Sequence, residues 1–256
     1  MEYSGNAIYK YVHDEGLDYY YSAEYTWMLV YGNAASIPKI FVFVSKVGDI
    51  RQSYSTEEKN DANKAFSIAK YLKLPFLFVR FMVNSEAVVI WEGNIRKWRK
   101  LSYSQLRDLY ERYGVVEPGT AKKRVNQYLS SPYHDWQRRN LGRITVSDFD
   151  LMKYVDGEVQ EIIELKRSKI SPDVWKPYTK DYPNFALLIN TIVGSGKRIP
   201  LTLFYNLMRA GQRGMREEDI SRIKVYDFVI PNGIISSNRV KCRFRGYFKL
   251  NQLLTG

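Results

Sequence analysis

The feature that most limits what this chain can fold into is an order of elements met twice. In the first half, the apolar runs "EYTWMLVYG" and "PKIFVFVSKVG" precede a polar stretch of helical composition at 56–72, and "LPFLFVRFMV" and "AVVIWEG" follow it. In the second half, "RITVSDFDLMKYV" (143–155) and "VQEIIELKRS" precede an apolar helix at 182–196, and "RIPLTLFYNLMR" (198–209) and "IKVYDFVIP" (223–231) follow it. Short β-branched and aromatic runs bounded by Gly, Pro and Asp read as strands, so each half is expected to be strand–strand–helix–strand–strand. That pattern gives an α/β chain with a mixed β-sheet flanked by helices. "LPFLFVRF" and "IPLTLFYN" both follow a helix and both open with an apolar–Pro pair. Two accounts stay open, a diverged internal duplication and a common pattern met twice. The junction is expected around 94–118, with "NIRKWRK" and "VVEPGT". The division is then a region at 1–100, a connector at 101–120 and a second domain at 121–256.

Composition removes several function classes. The 256 residues suffice for a real core, and 45% apolar with 26% charged is ordinary for a soluble domain. No apolar run approaches the ~20 residues of a membrane span. The opening residues lack the regions of a signal peptide, and a lone cysteine, Cys242, forms no intrachain disulfide, so an intracellular, cytoplasmic setting is expected. Two histidines and one cysteine exclude His-rich and thiolate zinc sites. "TIVGSGKRIP" fails the P-loop pattern, because Thr191 stands where the first Gly is needed and Arg198 follows Lys197. It reads as a helix C-cap and turn.

Charge points the other way. Thirty-nine Lys and Arg against 27 Asp and Glu leave +12, which favours a polyanionic partner. "NIRKWRK", "AKKRVNQY", "WQRRNLGR" and the tail "NRVKCRFRGYFKL" mix cations with aromatic and amide side chains. Residues 121–140 read as a helix broken near Ser131-Pro132. In the tail, strict alternation would turn Arg239, Lys241, Arg243 and Arg245 to one face. Lys122, Lys123, Arg124, Arg138, Arg139, Arg143, Lys241, Arg243 and Arg245 are the candidate phosphate contacts.

"DGEVQEIIELKRSKI" (156–170) carries Glu164 and Lys166 inside an apolar strand, two positions apart and so on one face. Asp148 and Asp150 repeat that spacing on the strand before it. A two-residue Asp156-Gly157 loop would pair Val155 with Glu158 and turn Asp150 to the wrong side. A three-residue loop ending in a left-handed Gly157 would pair Tyr154 with Glu158 and set Asp148 across from Glu164. The three-residue loop is the one expected, because x-Asp-Gly suits a type I turn with a bulge; gathering the carboxylates and Lys166 on one face requires that odd loop length, or a bulge between the strands. Carboxylates that close repel unless something neutralises them. A divalent cation does so, and hard oxygen donors favour magnesium or manganese.

An Asp, a hairpin and then Glu-x-Lys, as in "SDFDLMKYVDGEVQEIIELKRS", resembles the PD-(D/E)xK nuclease superfamily, which includes restriction endonucleases and Holliday junction resolvases. The likeness covers about residues 120–230. It implies a restriction endonuclease-like core in the second half, and a first half that is a degenerate copy or a substrate-recognition region. It also implies a metal-dependent endodeoxyribonuclease, acting on double-stranded DNA as a homodimer. Asp150, Glu164 and Lys166 are the implied catalytic residues. The metal ligands would be Asp150, Glu164 and the Leu165 carbonyl, with Asp148 the competing Asp. Two departures stand out: Ser147 and Phe149 precede the Asp residues where a Pro is common, and 121–140 offers only Asp135 as a first-helix acid. A nuclease-like fold that binds without cutting, or a nuclease acting on RNA, is the alternative.

Overall fold

The computed structural model describes residues 6–22, 25–49, 51–82, 85, 87–116, 132–210 and 216–254. Helix α1 (Ala7–Asp14) and the short strand β1 (Tyr19–Tyr20) lead into β2 (Thr26–Gly32) and β3 (Pro38–Lys46). Then come α2 (Thr56–Tyr71), β4 (Phe76–Phe81), β5 (Ala87–Glu92), β6 (Lys97–Ser102) and α3 (Tyr103–Arg112). The second half repeats the order. It runs α4 (Pro132–Asn140), β7 (Thr145–Asp148), β8 (Leu151–Val155), β9 (Glu158–Ser168), α5 (Tyr182–Ser195), β10 (Leu201–Ala210), β11 (Arg216–Phe228), β12 (Cys242–Phe248) and α6 (Leu250–Leu254).

Local chemistry explains several boundaries. Ser55 caps α2 by accepting from the Glu58 amide, and Ser102 with Gln105 closes a full capping box on α3. α5 starts with Pro183 in its first turn and ends on Gly196 in the left-handed region at φ 70°. The P-loop look-alike is therefore the end of a helix.

Two six-stranded mixed sheets result, ordered β6-β5-β4-β3-β2-β7 and β1-β8-β9-β10-β11-β12. Within each, the helix-linked pair (β3 with β4, β9 with β10) is parallel, and the other pairs are antiparallel. The leading arm of each half crosses to the other. β1 extends the second sheet beside β8, and β7 extends the first beside β2. Helices follow their strands: α1 and α6 cover the outer face of the second sheet, α3 and α4 that of the first. α2 and α5 lie between the sheets in one continuous core.

Four sequence expectations need correction. Residues 143–155 are two strands in different sheets, broken at Phe149-Asp150. The Phe149 amide still bonds the Met28 carbonyl at 3.1 Å, and its buried ring stacks on Phe41 at 5.4 Å. The hairpin turn has two residues, with Val155 paired to Glu158 and Asp156 and Gly157 at φ 52° and 82°. The tail does not alternate throughout. Arg239 lies in a 3-10 turn at Ser237–Arg239, and a bulge opposite Val225 and Tyr226 sits at Arg245. The region read as a junction holds β6 and α3.

Candidate functional site

The two-residue turn alone would have put Asp150 on the wrong face. A bulge corrects the parity: Tyr154 pairs with Val159 but Lys153 pairs with Glu161, so Gln160 is the extra residue. Val159 and Ile162, an odd three apart, consequently both join the core between the sheets. Leu151 pairs with Ile163, so extending the register by one residue sets Asp150 across from Glu164. The expected partner of Glu164 was Asp148. Instead Asp148 ends β7, exposed, opposite Leu29 of the other sheet.

The cluster sits where the chain crosses between sheets. β8 has not yet begun at Asp150, so the Leu165 amide of β9 lacks a strand partner there. The Asp150 carboxylate replaces it, with Oδ2 accepting from Leu165 N–H at 2.7 Å and Oδ1 from the Tyr9 hydroxyl at 3.2 Å. Glu164 is 2% exposed and its Oε1 accepts from Lys166 Nζ at 2.7 Å. The ammonium also lies 5.8 Å from the centre of the Phe185 ring on α5. Glu164 Oε2 is buried with no hydrogen-bond partner.

Electrostatics follow from this crowding. Burial, then the negative charges of Glu164 and Asp148, hold the Asp150 carboxyl well above the usual range. Burial likewise raises Glu164, with Lys166 opposing and Asp148 and Asp181 adding to the rise. Burial alone would lower the Lys166 ammonium, but Glu164 and Asp150 outweigh it and raise its pKa. The Tyr9 phenol is raised by burial and then by Asp150.

Does this donor set suit a hard cation? Among the described residues no three His, Cys, Asp or Glu side chains form a ready metal-binding group. Two neighbouring carboxylates, both raised chiefly by burial and one of them with an orphaned buried oxygen, do match the demand for oxygen donors of negative charge. A third donor would come from the main chain. In an extended strand the carbonyl leaves on the same side as the amide, so the Leu165 carbonyl faces the edge where Asp150 sits. The residues fit the group in chemistry, with Glu164 Oε2, Asp150 and the Leu165 carbonyl as the holders.

Asp150, Glu164 and Lys166 thus come together, and sequence reasoning missed Tyr9 and Asp181 beside them. Asp181 directly precedes α5, and an Asp ahead of Tyr-Pro is a readable helix-start signal. Nothing local marks Tyr9, 141 residues from Asp150. The proposed phosphate contacts are dispersed. Lys122, Lys123 and Arg124 lie outside the described residues, as does the Arg138 side chain. Arg139 and Arg143 are exposed on and just after α4, outside the first sheet. Lys241 and Arg243 are exposed, and Arg245 pairs with Asp227. Their edge strand β12 stands three strands from β9, about 14 Å away.

Among the described residues of the first half the Glu164–Lys166 pair has no counterpart. Glu164 pairs with Leu203 and Phe43 with Phe78, each partner three residues after the shared Pro, so Phe43 and Ser45 take the places of Glu164 and Lys166. The buried cation nearby, Arg80, is bound by Glu58 at 2.8 Å.

No family model matches the chain, and no curated protein does. Among solved structures it is compared with one described as the crystal structure of sex pheromone staph-cAM373 precursor. That likeness has a TM-score of 0.15 and 11% identity over 81% of this chain and 70% of that one. A score so low carries no argument about fold or function. Among the described residues no helix is long and apolar enough to cross a membrane.

Proposed function

We propose that the chain is a divalent-cation-dependent phosphodiesterase acting on nucleic acid, with a restriction endonuclease-like core in its second half. The observation that carries this reading is the orphaned Glu164 Oε2, buried beside a second carboxylate and a lysine. A bound cation, magnesium or manganese, would acidify a water and neutralise phosphoryl charge. The chain's own groups do the rest. Lys166 stays cationic at neutral pH and offers its charge to the non-bridging oxygens as negative charge builds. Tyr9 and the Leu165 amide fix the Asp150 carboxylate at the strand edge. The surplus of cations attracts the substrate. DNA as substrate and a homodimer are part of this proposal, since cutting two strands calls for two sites.

A second reading has its own observation. Lys166 already neutralises Glu164, and both Asp150 oxygens hold hydrogen bonds, so the cluster could be an internally balanced remnant of a protein that only binds. Supercoiled plasmid with magnesium, with EDTA, and with neither separates the two. The first reading expects cleavage with magnesium alone, and a loss of roughly 10²–10³-fold in Lys166→Ala with binding retained. Glu164→Gln should lose both cleavage and the rise in melting temperature that magnesium gives the parent protein. Cleavage in EDTA overturns the cation, and binding without cleavage of plasmid, single strand or RNA selects the second reading.

A further inference from the structure

The basic stretch "NIRKWRK" (94–100) lies in the first half, away from the carboxylate cluster. Its last four residues open β6, the edge strand of the first sheet, where Trp98 is 45% exposed. Between this edge and α2 lies a cavity of about 410 Å³. Its walls are rings: Phe66 from α2, Phe76 and Phe78 from β4, Trp91 from β5, Trp98, and Tyr54 from the loop ahead of α2. Phe66 meets Trp91 edge-on at 5.2 Å and 85°, and Phe78 meets Trp98 at 5.8 Å and 67°. The polar groups of the lining are Lys59 and Asn63, one helical turn apart.

Protein interiors pack close, so an open aromatic slot needs a reason. The other half shows what such a place accepts. There the cross-strand pair matching Trp91 and Trp98 is Tyr226 and Phe244. The loop ahead of α5 supplies Trp175, which lies flat on Tyr205 at 3.9 Å and 7° and is 2% exposed. In the first half the corresponding loop supplies the smaller Tyr54, and the space stays open. Two exposed cations share this side: Lys59 lines the cavity and Lys100 lies two residues beyond Trp98 on the same face of β6, and among the described residues neither is in an ion pair.

We propose that this cavity receives an unpaired base of a single-stranded nucleic acid, stacked against Trp98 and Trp91, while Lys59 and Lys100 hold the adjoining phosphates. Stacking suits any base because every base offers a π-face. The Asn63 amide can donate to and accept from a base edge. Phosphate contacts add affinity without sequence preference. This goes beyond the phosphodiesterase reading and shares only its nucleic-acid partner.

The test uses the whole chain in EDTA, with a short single-stranded oligonucleotide and an abasic strand of equal length. Both carry the same phosphates, so a difference in affinity reports the bases. The parent protein should bind the base-bearing strand about tenfold more tightly, and Trp98→Ala should remove that difference. Trp98→Phe should restore most of it, and Lys59→Glu should weaken both strands alike. Photocrosslinking with a strand carrying 5-iododeoxyuridine reads the same contact without a variant, and should label the peptide holding Trp91 and Trp98. Equal affinity of the parent protein for both strands, or labelling confined to other peptides, overturns the pocket but leaves the nucleic-acid partner standing. No affinity for either strand also overturns the pocket, and leaves the cleavage of duplex DNA to the plasmid assay.

Discussion

Asp150 is the residue on which the site's energetics turn. Its carboxyl is raised in the folded chain by burial and by Glu164 and Asp148, from an ordinary value of 3.8. The folded state therefore holds a proton that the unfolded chain has already released. Stability from that proton is full below the ordinary value and is lost as pH rises through the folded one. Asp150→Asn has no such loss. In EDTA its melting temperature should match the parent's at about pH 4 and exceed it at about pH 8, by roughly 3–5 °C for each pKa unit relieved. A gap that is flat or shrinks with rising pH would contradict the crowding described here. At this scale the sequence was partly legible. Glu164 and Lys166 stood out because two charges interrupt an apolar run at strand spacing. Tyr9 did not, because a tyrosine on a short helix gives no hint of a partner 141 residues away.

At the scale of elements, the hairpin shows where reading by spacing stops. Asp-Gly marks a turn, and x-Asp-Gly suits a type I turn with a bulge, which makes three loop residues the expectation. The chain brings Asp150 to the face of Glu164 by another route, a tight turn with a bulge at Gln160, in a register two residues from the one expected. A bulge has no fixed composition, so parity counted from the turn calls for an odd loop or a bulge but does not choose between them or place the bulge at Gln160. Strands β2, β3, β4, β5, β9 and β10 were legible because their apolar runs are long and bounded. β6 was hidden by its charge, and β7 by its continuity with β8. The turn itself gives a clean test. Gly157 sits at φ 82° with no atom within 4 Å of an added Cβ, so Gly157→Ala costs backbone strain alone. Denaturant unfolding should show a loss of about 1–2 kcal/mol, with Gly157→Asn milder. A neutral Gly157→Ala would mean that the turn is not of this left-handed kind.

The exchange of arms governs the whole molecule, and no local pattern announces it. Ile8, Tyr9 and Val12 of α1 pack on the second sheet, and the Ala7 amide bonds Glu218 of β11 at 3.2 Å. β7 in turn completes the first sheet beside β2. Asn190 of α5 joins the halves again, donating to the carbonyls of Ser36 and Ile235 at 2.9 Å each. The core between the sheets draws on both halves, so neither can bury its inner face alone. A chain break placed between Val116 and Pro132 should therefore give two fragments that do not fold separately. Each alone should melt without a cooperative transition, and mixing them should restore one transition and a 1:1 complex by size-exclusion chromatography. Cooperative melting of either fragment by itself would show that the exchanged arms are ornaments on two independent domains. If the fragments do need each other, the crossing at Phe149-Asp150 is both the seam of the fold and the floor of the candidate site. Substitutions that loosen the seam should then disturb Asp150 before they unfold the chain.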